Sequence, residues 1–312
     1  MDKKEIGAKL KRSILGSLPK AFQTCLWLLK IMLPISLLVR ILDYYGFVEY
    51  LSTFLHPIFD LLGLPAKLAI VFVTSIFVPL YGAIAVMASL SMTVREATIL
   101  TLMCLIAHNL LVECAVTKKT GSSFLGIFIL RICMAFVVAF ALNLVLPPNE
   151  ASFVLSTQVE GYTNLQQLFL EWFYSSIQLT LVLVTIVTLL MILQRVLNEF
   201  KLIDKLIKPL APLMRIFGLP EHASLLWVVG NVVGLAYGGA LMVDMIDEGQ
   251  VTRKEADMVN HHLAISHSLL EDTILFVALG INIWAIIIPR LLFAMLVVWT
   301  KRLWNHFSLK RA

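Results

Sequence analysis

Two short polar blocks interrupt long apolar stretches of this sequence, and they carry the residue types best suited to chemistry. The blocks comprise His108, Asn109 and Glu113 in the first and His267, Ser268, Glu271 and Asp272 in the second. An ionisable side chain costs roughly 2.5–3.5 kcal/mol in the apolar core of a membrane and by default marks a pathway or a binding site. We therefore expect both blocks to bind or translocate a polar solute.

Further polar residues accompany the two blocks. Arg131 and Arg290 each follow the acidic residue of their block by 18 positions, so a carboxylate–guanidinium pair is feasible in each case. Tyr81, Tyr237 and Asn231 lie in apolar stretches that precede the blocks and are added to the candidate binding residues. The competing interpretation is that the ion pairs merely tie helices together.

Metal binding and catalysis find little support in the sequence. His267, Glu271 and Asp272 are the candidate metal ligands, since imidazole and carboxylate suit several divalent metals. His261 and His262 lie near a helix entry, where a solvated position is the simpler expectation. A His-Glu-x-x-His helix, a phosphate loop and a Gly-x-Ser-x-Gly elbow are all missing from the sequence, so we expect no enzyme and no cofactor.

The elements that must position these residues are membrane helices. The chain is 59% hydrophobic and 14% charged, with a mean hydropathy of +0.88, whereas soluble domains carry about 25% charged residues. Several apolar runs approach the roughly 20 residues that cross a bilayer as a helix. Lys and Arg cluster at both ends of the chain, which is typical of residues that fix topology rather than bind nucleic acid.

Both polar blocks fall in apolar segments that we predict as continuous helices, over 97–117 and 257–279. Residues four apart share one face of a helix. The pairs aligned in this way are Asn109 with Glu113, Ser268 with Asp272, and His267 with Glu271.

Similar blocks recur in the same order in the two halves of the chain. The segments 56–65, 80–87 and 95–114 align with 211–220, 236–243 and 254–273, at spacings of roughly 155 to 159 residues. Such self-similarity indicates a duplication. The predicted organisation is an N-terminal cytoplasmic amphipathic segment, a first repeat, a polar connecting loop, a second repeat and a basic tail, at 1–20, 21–146, 147–167, 168–301 and 302–312.

The charge distribution predicts that the repeats are inverted. The loop 147–167 contains no Lys or Arg, whereas both termini are basic. The positive-inside rule places that loop outside and the termini inside, which requires an odd number of crossings per half. We expect the Tyr-Gly segment of each half to be re-entrant or broken, at Pro79 and Gly82 in the first half and around Gly234 in the second. A kinked but complete helix is the alternative.

The repeated Gly-Leu-Pro, Tyr-Gly and His-[Asn/Ser]-Leu-Leu-x-[Glu/Asp] motifs resemble the Gate, or nucleoside recognition, domain family over about 55–145 and 210–300. That family includes spore maturation membrane proteins and the membrane part of the bacterial ferrous-iron transporter. The resemblance implies an all-α, polytopic transmembrane bundle with two Gate-type repeats in a bacterial inner membrane, and the charge distribution predicts that both termini are cytoplasmic.

For function, the resemblance implies a permease for a small polar solute (nucleoside-like, an organic anion or a metal ion), which would pass through a site between the two repeats. The alternative is a non-transporting scaffold or regulatory subunit of another membrane complex. The expected partners are the lipid bilayer and the solute, with a homo-oligomer or a second membrane subunit compatible with either interpretation.

Overall fold

The computed structural model describes residues 3–155 and 162–309, and within them the secondary structure is helical apart from one isolated bridge between Thr93 and Ser152. The first half forms α1 (Lys3–Tyr44), α2 (Phe47–Leu61), α3 (Ala69–Phe77), α4 (Leu80–Met87), α5 (Val94–Ala107), α6 (Leu110–Lys119) and α7 (Phe124–Val145). The second half forms α8 (Leu165–Glu199), α9 (Leu202–Ile216), α10 (Ser224–Val232), α11 (Leu235–Asp247), α12 (Arg253–Ser266), α13 (Leu269–Ala278) and α14 (Ile283–Leu309). The expectation of an all-α bundle is confirmed.

Residues 3–155 and 162–309 contain five segments that are long and apolar enough to cross a membrane. They lie within α1, α5 together with α6, α7, α8 and α14. At 1.5 Å rise per residue, the 22 residues of α7 extend about 33 Å, which matches the thickness of a hydrocarbon core. Helix α1 is continuous over 42 residues and includes residue 20, the predicted end of the N-terminal segment.

The Tyr-Gly segments are broken, as the sequence predicts. The first half breaks at Val78–Pro79, because Pro79 has no N–H to continue the preceding helix. The second half breaks at Gly234, which adopts a φ of 109° that favours glycine. With nine and eight residues, α3 and α4 each extend only about 12–14 Å, too short to cross alone.

Each broken pair begins and ends at the same place. In the first half, Lys67 Nζ lies 3.0 Å from Ser91 Oγ, so the two ends of the α3–α4 segment meet. In the second half, His222 Nε2 lies 3.2 Å from Glu255 Oε1, which closes the α10–α11 segment in the same way. In both halves, therefore, the segment folds back so that its two ends lie close together.

The prediction of continuous helices over 97–117 and 257–279 is wrong. The first is interrupted at Asn109 and the second at Ser268, whose φ values of 46° and 52° lie in the left-handed region. A peptide N–H at each interruption bonds to the neighbouring broken pair. Asn109 donates to the Ser75 carbonyl at 2.8 Å, and Ser268 donates to the Gly230 carbonyl at 3.0 Å.

The chain separates into two compact units that cut across the predicted halves. The first comprises Met1–Asn109, Ala135–Val196 and Leu275–Asn282, and the second comprises Leu110–Met134, Leu197–Ile274 and Ile283–Ala312. In the first unit α4 packs against α1, and α3 packs against α5. In the second, α12 packs against α14 over an apolar core that includes Met214, Trp227 and Leu263.

Within the first unit, α1 and α8 run antiparallel. Arg195 near the end of α8 donates to the carbonyl of Gly16. At the opposite end Trp172 Nε1 donates to Ser36 Oγ at 3.0 Å, and Arg40 donates to the Tyr162 hydroxyl at 2.8 Å. Burial raises the pKa of Tyr162, against the opposing effect of the nearby guanidinium.

Candidate functional site

The interruption between α12 and α13 creates the centre of a buried polar cluster in the second unit. Helix α12 begins at a capping box, in which Thr252 and Glu255 satisfy each other's backbone N–H groups, and it ends at Ser266 with His267 as its C-cap. The last carbonyls of a helix lack intrahelical partners, so an interruption inside an apolar region requires donors from elsewhere.

Arg290 supplies those donors from α14. Its Nε donates to the Ile265 carbonyl at 3.1 Å, and its Nη2 donates to the carbonyl of His267. The same guanidinium lies 3.4 Å from the Asp272 carboxylate in the first turn of α13. A cation at a helix C-terminus and an anion at the next N-terminus both suit the helix dipoles. Arg290 is 0% exposed, so it joins the two pieces of the interrupted helix inside the protein.

Arg131 and Glu113 form the second ion pair of the cluster. Arg131 Nη1 on α7 lies 2.6 Å from Glu113 Oε2 on α6. The arginine is 0% exposed and the glutamate is also buried. Each ion costs several kcal/mol to remove from water, and only good geometry with a partner compensates for this. The predicted pairing of each arginine with its acid is thus present in the structure.

His267 connects the two ion pairs through its imidazole. Its Nδ1 lies 2.9 Å from the Leu263 carbonyl, which can only accept, so Nδ1 carries a proton. Its Nε2 lies 3.2 Å from Glu113 Oε2. An unprotonated Nε2 and an ionised carboxylate would face each other with lone pairs. The favourable arrangement places one proton between them, on either the imidazole or the carboxyl.

Five predicted residues therefore come together in this cluster: Glu113, Arg131, His267, Asp272 and Arg290. Ser268 forms the interruption, and Glu271 is half-buried in the first turn of α13. The helical-face argument fails for all three aligned pairs, because Asn109 and Ser268 are not in helical conformation and the preceding helices end before His108 and His267.

The remaining predicted residues make the following contacts within their own units. His108 and Asn109 belong to the first unit, where His108 Nδ1 lies 3.0 Å from the Cys104 carbonyl. Tyr81 is half-buried in α4, whereas Tyr237 is 63% exposed on α11. Asn231 is buried near the end of α10 and donates to the Trp227 carbonyl at 2.9 Å.

The metal ligands considered in the sequence also differ from expectation. Among the described residues, the donor atoms of His267, Glu271 and Asp272 do not converge into a metal-binding group. His262 is fully buried rather than solvated, with its ring 4.7 Å from that of Phe217. Trp227 Nε1 donates to His262 Nδ1 at 3.1 Å, which fixes the neutral tautomer with its proton on Nε2.

A second polar network, which sequence reasoning missed, lies where α12 begins. Asn260 donates to the hydroxyls of Thr120 and Ser122 at 2.8 and 2.9 Å, and Ser122 donates to Asp257 at 2.7 Å. Lys301 on α14 pairs with the same Asp257 carboxylate. The available signal was a polar amide, Asn260, inside a segment predicted to be an apolar helix.

Apolar spans, broken helices and buried ion pairs define a polytopic helical membrane protein. Residues 25–145 match the family model described as Gate, nucleoside recognition, which confirms the resemblance for the first of the two regions that carry the motifs. Over 292 residues the chain is 28% identical to an uncharacterized membrane protein, YvoD, of Bacillus subtilis (strain 168), covering 92% of this chain and 93% of the relative. No solved structure gives a significant match.

Proposed function

We propose that this protein is a permease that moves a small polar solute across a bacterial inner membrane, and that the cluster around His267 contacts the solute or its coupling ion. The observation that carries the proposal is the pair of fully buried arginines, each paired with a buried carboxylate beside an interrupted helix. Replacing a buried ion pair by apolar residues is often neutral or stabilising, so stability alone gives little reason for two of them.

Interrupted helices support a transport role for a second reason. In secondary transporters, discontinuous helices place helix ends and unwound backbone near the bilayer midplane, where they contact solutes and ions. Here the interruption at Ser268 bonds to the broken α10–α11 segment through Gly230. We infer that one repeat moves against the other during transport, and that the proton held between His267 and Glu113 is exchanged in that cycle.

We further propose that the two repeats are an inverted duplication. In the first unit, the Gly63-Leu64-Pro65 turn shares an end with the Lys-free connecting loop, because Asn143 bonds to the Leu61 carbonyl and to Arg95, and Val94 bonds to the Ala151 carbonyl. In the second unit, the Gly218-Leu219-Pro220 turn shares an end with the basic C-terminal residues, since both line one cavity. The positive-inside rule assigns the first end to the outside and the second to the cytoplasm.

This orientation gives three crossings in each half. In the first half they are α1, α5–α6 and α7; in the second they are α8, α12–α13 and α14. Both termini are then cytoplasmic. We propose that the chain is not an enzyme and needs no cofactor or nucleic acid. Its proposed partners are the bilayer and the solute. A second copy of the chain or another membrane subunit is also compatible with this proposal.

A non-transporting scaffold or regulatory subunit is the second candidate. The specific observation in its favour is that both buried arginines make direct ion pairs, which would join helices without any solute. The two functions differ in what they require of the cluster, because only transport requires a proton or solute to exchange there.

Proteoliposome counterflow distinguishes the two candidates. The purified protein is tested with uridine, succinate and manganese as representatives of the three solute classes, with a pH-sensitive dye enclosed in the vesicles. We expect uptake of one class that Glu113→Gln and His267→Gln reduce at least tenfold, whereas Glu221→Gln in an exposed pair leaves it unchanged. Absence of uptake for all three, or uptake indifferent to Glu113→Gln and His267→Gln, would exclude the proposed cluster function.

A further inference from the structure

A cavity of about 660 Å³ lies at the end of the second unit that contains the basic C-terminal residues. It is bounded by the Gly218-Leu219-Pro220 turn, the first turns of α12 and the last turns of α14. Its volume falls in the range of ligand sites, which is roughly 300–1,000 Å³. The proposed permease function does not use this cavity.

The cavity presents uncompensated positive charge. It is lined by the cations Lys254, Lys301 and Arg302 and by the carboxylates of Glu255 and Asp257. Both carboxylates are already bound within the protein. Glu255 accepts from the Thr252 backbone at 2.9 Å in the capping box, and Asp257 pairs with Lys301.

Two cations therefore face the cavity without a carboxylate. Among the described residues, Lys254 and Arg302 form no ion pair, and Asn305 adds an amide beside them. Both cationic side chains are exposed, so they can reorient towards a ligand. Guanidinium and ammonium groups in this arrangement bind phosphate, the guanidinium through two parallel hydrogen bonds.

The surroundings of the cavity are those of a membrane surface. Arg302 lies over the Trp299 ring, 5.4 Å from its centroid, and Trp299 Nε1 donates to the Ile216 carbonyl at 2.9 Å. Trp304 and Phe307 are exposed one to two turns further along α14. Exposed tryptophans near the end of an apolar span typically lie at headgroup level. The phosphate groups of the bilayer would therefore lie at the same level as this cavity.

We propose that this cavity binds the phosphate headgroup of an anionic phospholipid, held by Arg302, Lys254 and Asn305. Basic pockets beside transmembrane helices on the cytoplasmic side are a known mode of anionic lipid recognition. The acyl chains of the bound lipid would lie along the exposed apolar face of α14, which includes Leu296 and Leu303. The site would hold a lipid against the turn that joins α9 to α10.

Native mass spectrometry of the full chain, released from detergent with defined lipids, tests the proposal. Phosphatidylglycerol is the anionic probe and phosphatidylcholine the neutral one. The double variant Lys254→Gln with Arg302→Gln should bind phosphatidylglycerol roughly 30-fold more weakly, since each basic side chain near an anionic surface contributes about 1 kcal/mol. The control, Lys118→Gln with Lys119→Gln, removes two exposed charges near the same end but outside the cavity and should retain tight binding.

The charge-preserving variant Lys254→Arg with Arg302→Lys should retain binding to within a few-fold, which separates loss of charge from loss of folding. Equal weakening in the cavity variant and the control would overturn the proposal, because the effect would then be general surface charge. Displacement of the lipid by millimolar glycerol 3-phosphate would overturn the lipid assignment and indicate a soluble phosphate ligand. A preference for phosphatidylglycerol over phosphatidylcholine that is lost in the cavity variant and kept in the control would establish the lipid assignment.

Discussion

Replacing Arg290 should destabilise the protein by much more than the loss of one hydrogen bond would. In the Arg290→Leu variant the Asp272 carboxylate remains buried without its cation, and the carbonyls of Ile265 and His267 lose their donor. Two unit charges 3.4 Å apart interact by about 5 kcal/mol at an effective dielectric constant of about 20. Breaking a buried pair by removing one partner typically costs about 3–5 kcal/mol, and we expect a loss in that range.

A double-mutant cycle isolates the ion pair from the carbonyl contacts. Arg290→Leu, Asp272→Leu and the combined variant are unfolded reversibly by SDS in detergent micelles, with tryptophan fluorescence as the readout. The double variant removes both charges together, so the coupling free energy should be about 2 kcal/mol or more. The carbonyl contacts are lost in Arg290→Leu and in the double variant alike and therefore cancel in the cycle.

The chain provides its own control for this cycle in Arg215 and Glu221, whose paired side chains are 78% and 44% exposed. An exposed pair of this kind usually contributes under about 1 kcal/mol. A coupling free energy for Arg290 and Asp272 no larger than that of the exposed pair would refute the reasoning, because it would mean that the buried pair is solvated or absent.

Three other perturbations test the backbone and the loop contacts. Ser268→Gly should be neutral or stabilising and Ser268→Val should cost about 1–2 kcal/mol, since a β-branched residue is strained at positive φ; equal melting temperatures would contradict this. Gly238→Ala should destabilise the protein, because the new Cβ would lie 3.1 Å from the Gly230 Cα. The control Gly7→Ala meets nothing within 4 Å and should stabilise helix α1. Denaturant midpoints that shift in the same direction for both variants would argue against close packing of α10 on α11. The Tyr162 hydroxyl has a raised pKa, so its contribution to stability is complete below pH 10 and is lost as the pH rises through the folded-state pKa. Ultraviolet difference titration of wild type against Tyr162→Phe should show one tyrosine that ionises at a higher pH than the others. An ordinary pKa for Tyr162 would disprove its burial.

The sequence predicted the elements whose causes are local. Long apolar runs specify membrane helices wherever they occur, and Pro79 and Gly234 break helices through their own backbone properties. The pairing of Arg131 and Arg290 with acids was also predictable, because an unpaired charge in an apolar segment is too costly to persist.

The interruptions at Asn109 and Ser268 were not predictable from local sequence. Neither residue is glycine, and the flanking leucines favour a continuous helix. The left-handed conformation becomes favourable only because a carbonyl on a neighbouring broken segment accepts the peptide N–H, and Arg290 satisfies the carbonyls that the interruption exposes. Contacts between residues distant in the chain decide these two positions. For that reason, the side chains that helical periodicity placed on one face are not aligned in the structure.

The length of α1 has a mechanical consequence. Its 42 residues extend about 63 Å, whereas a bilayer with its headgroups is about 40–45 Å thick. The 35 residues of α8 extend about 52 Å beside it. The two helices are joined by the hydrogen bond that Arg195 donates to the Gly16 carbonyl. Two helices of this length must project into the aqueous phase or tilt steeply. Either way, a force applied at their free ends would be transmitted into the lipid-embedded part of the first unit, as by a lever.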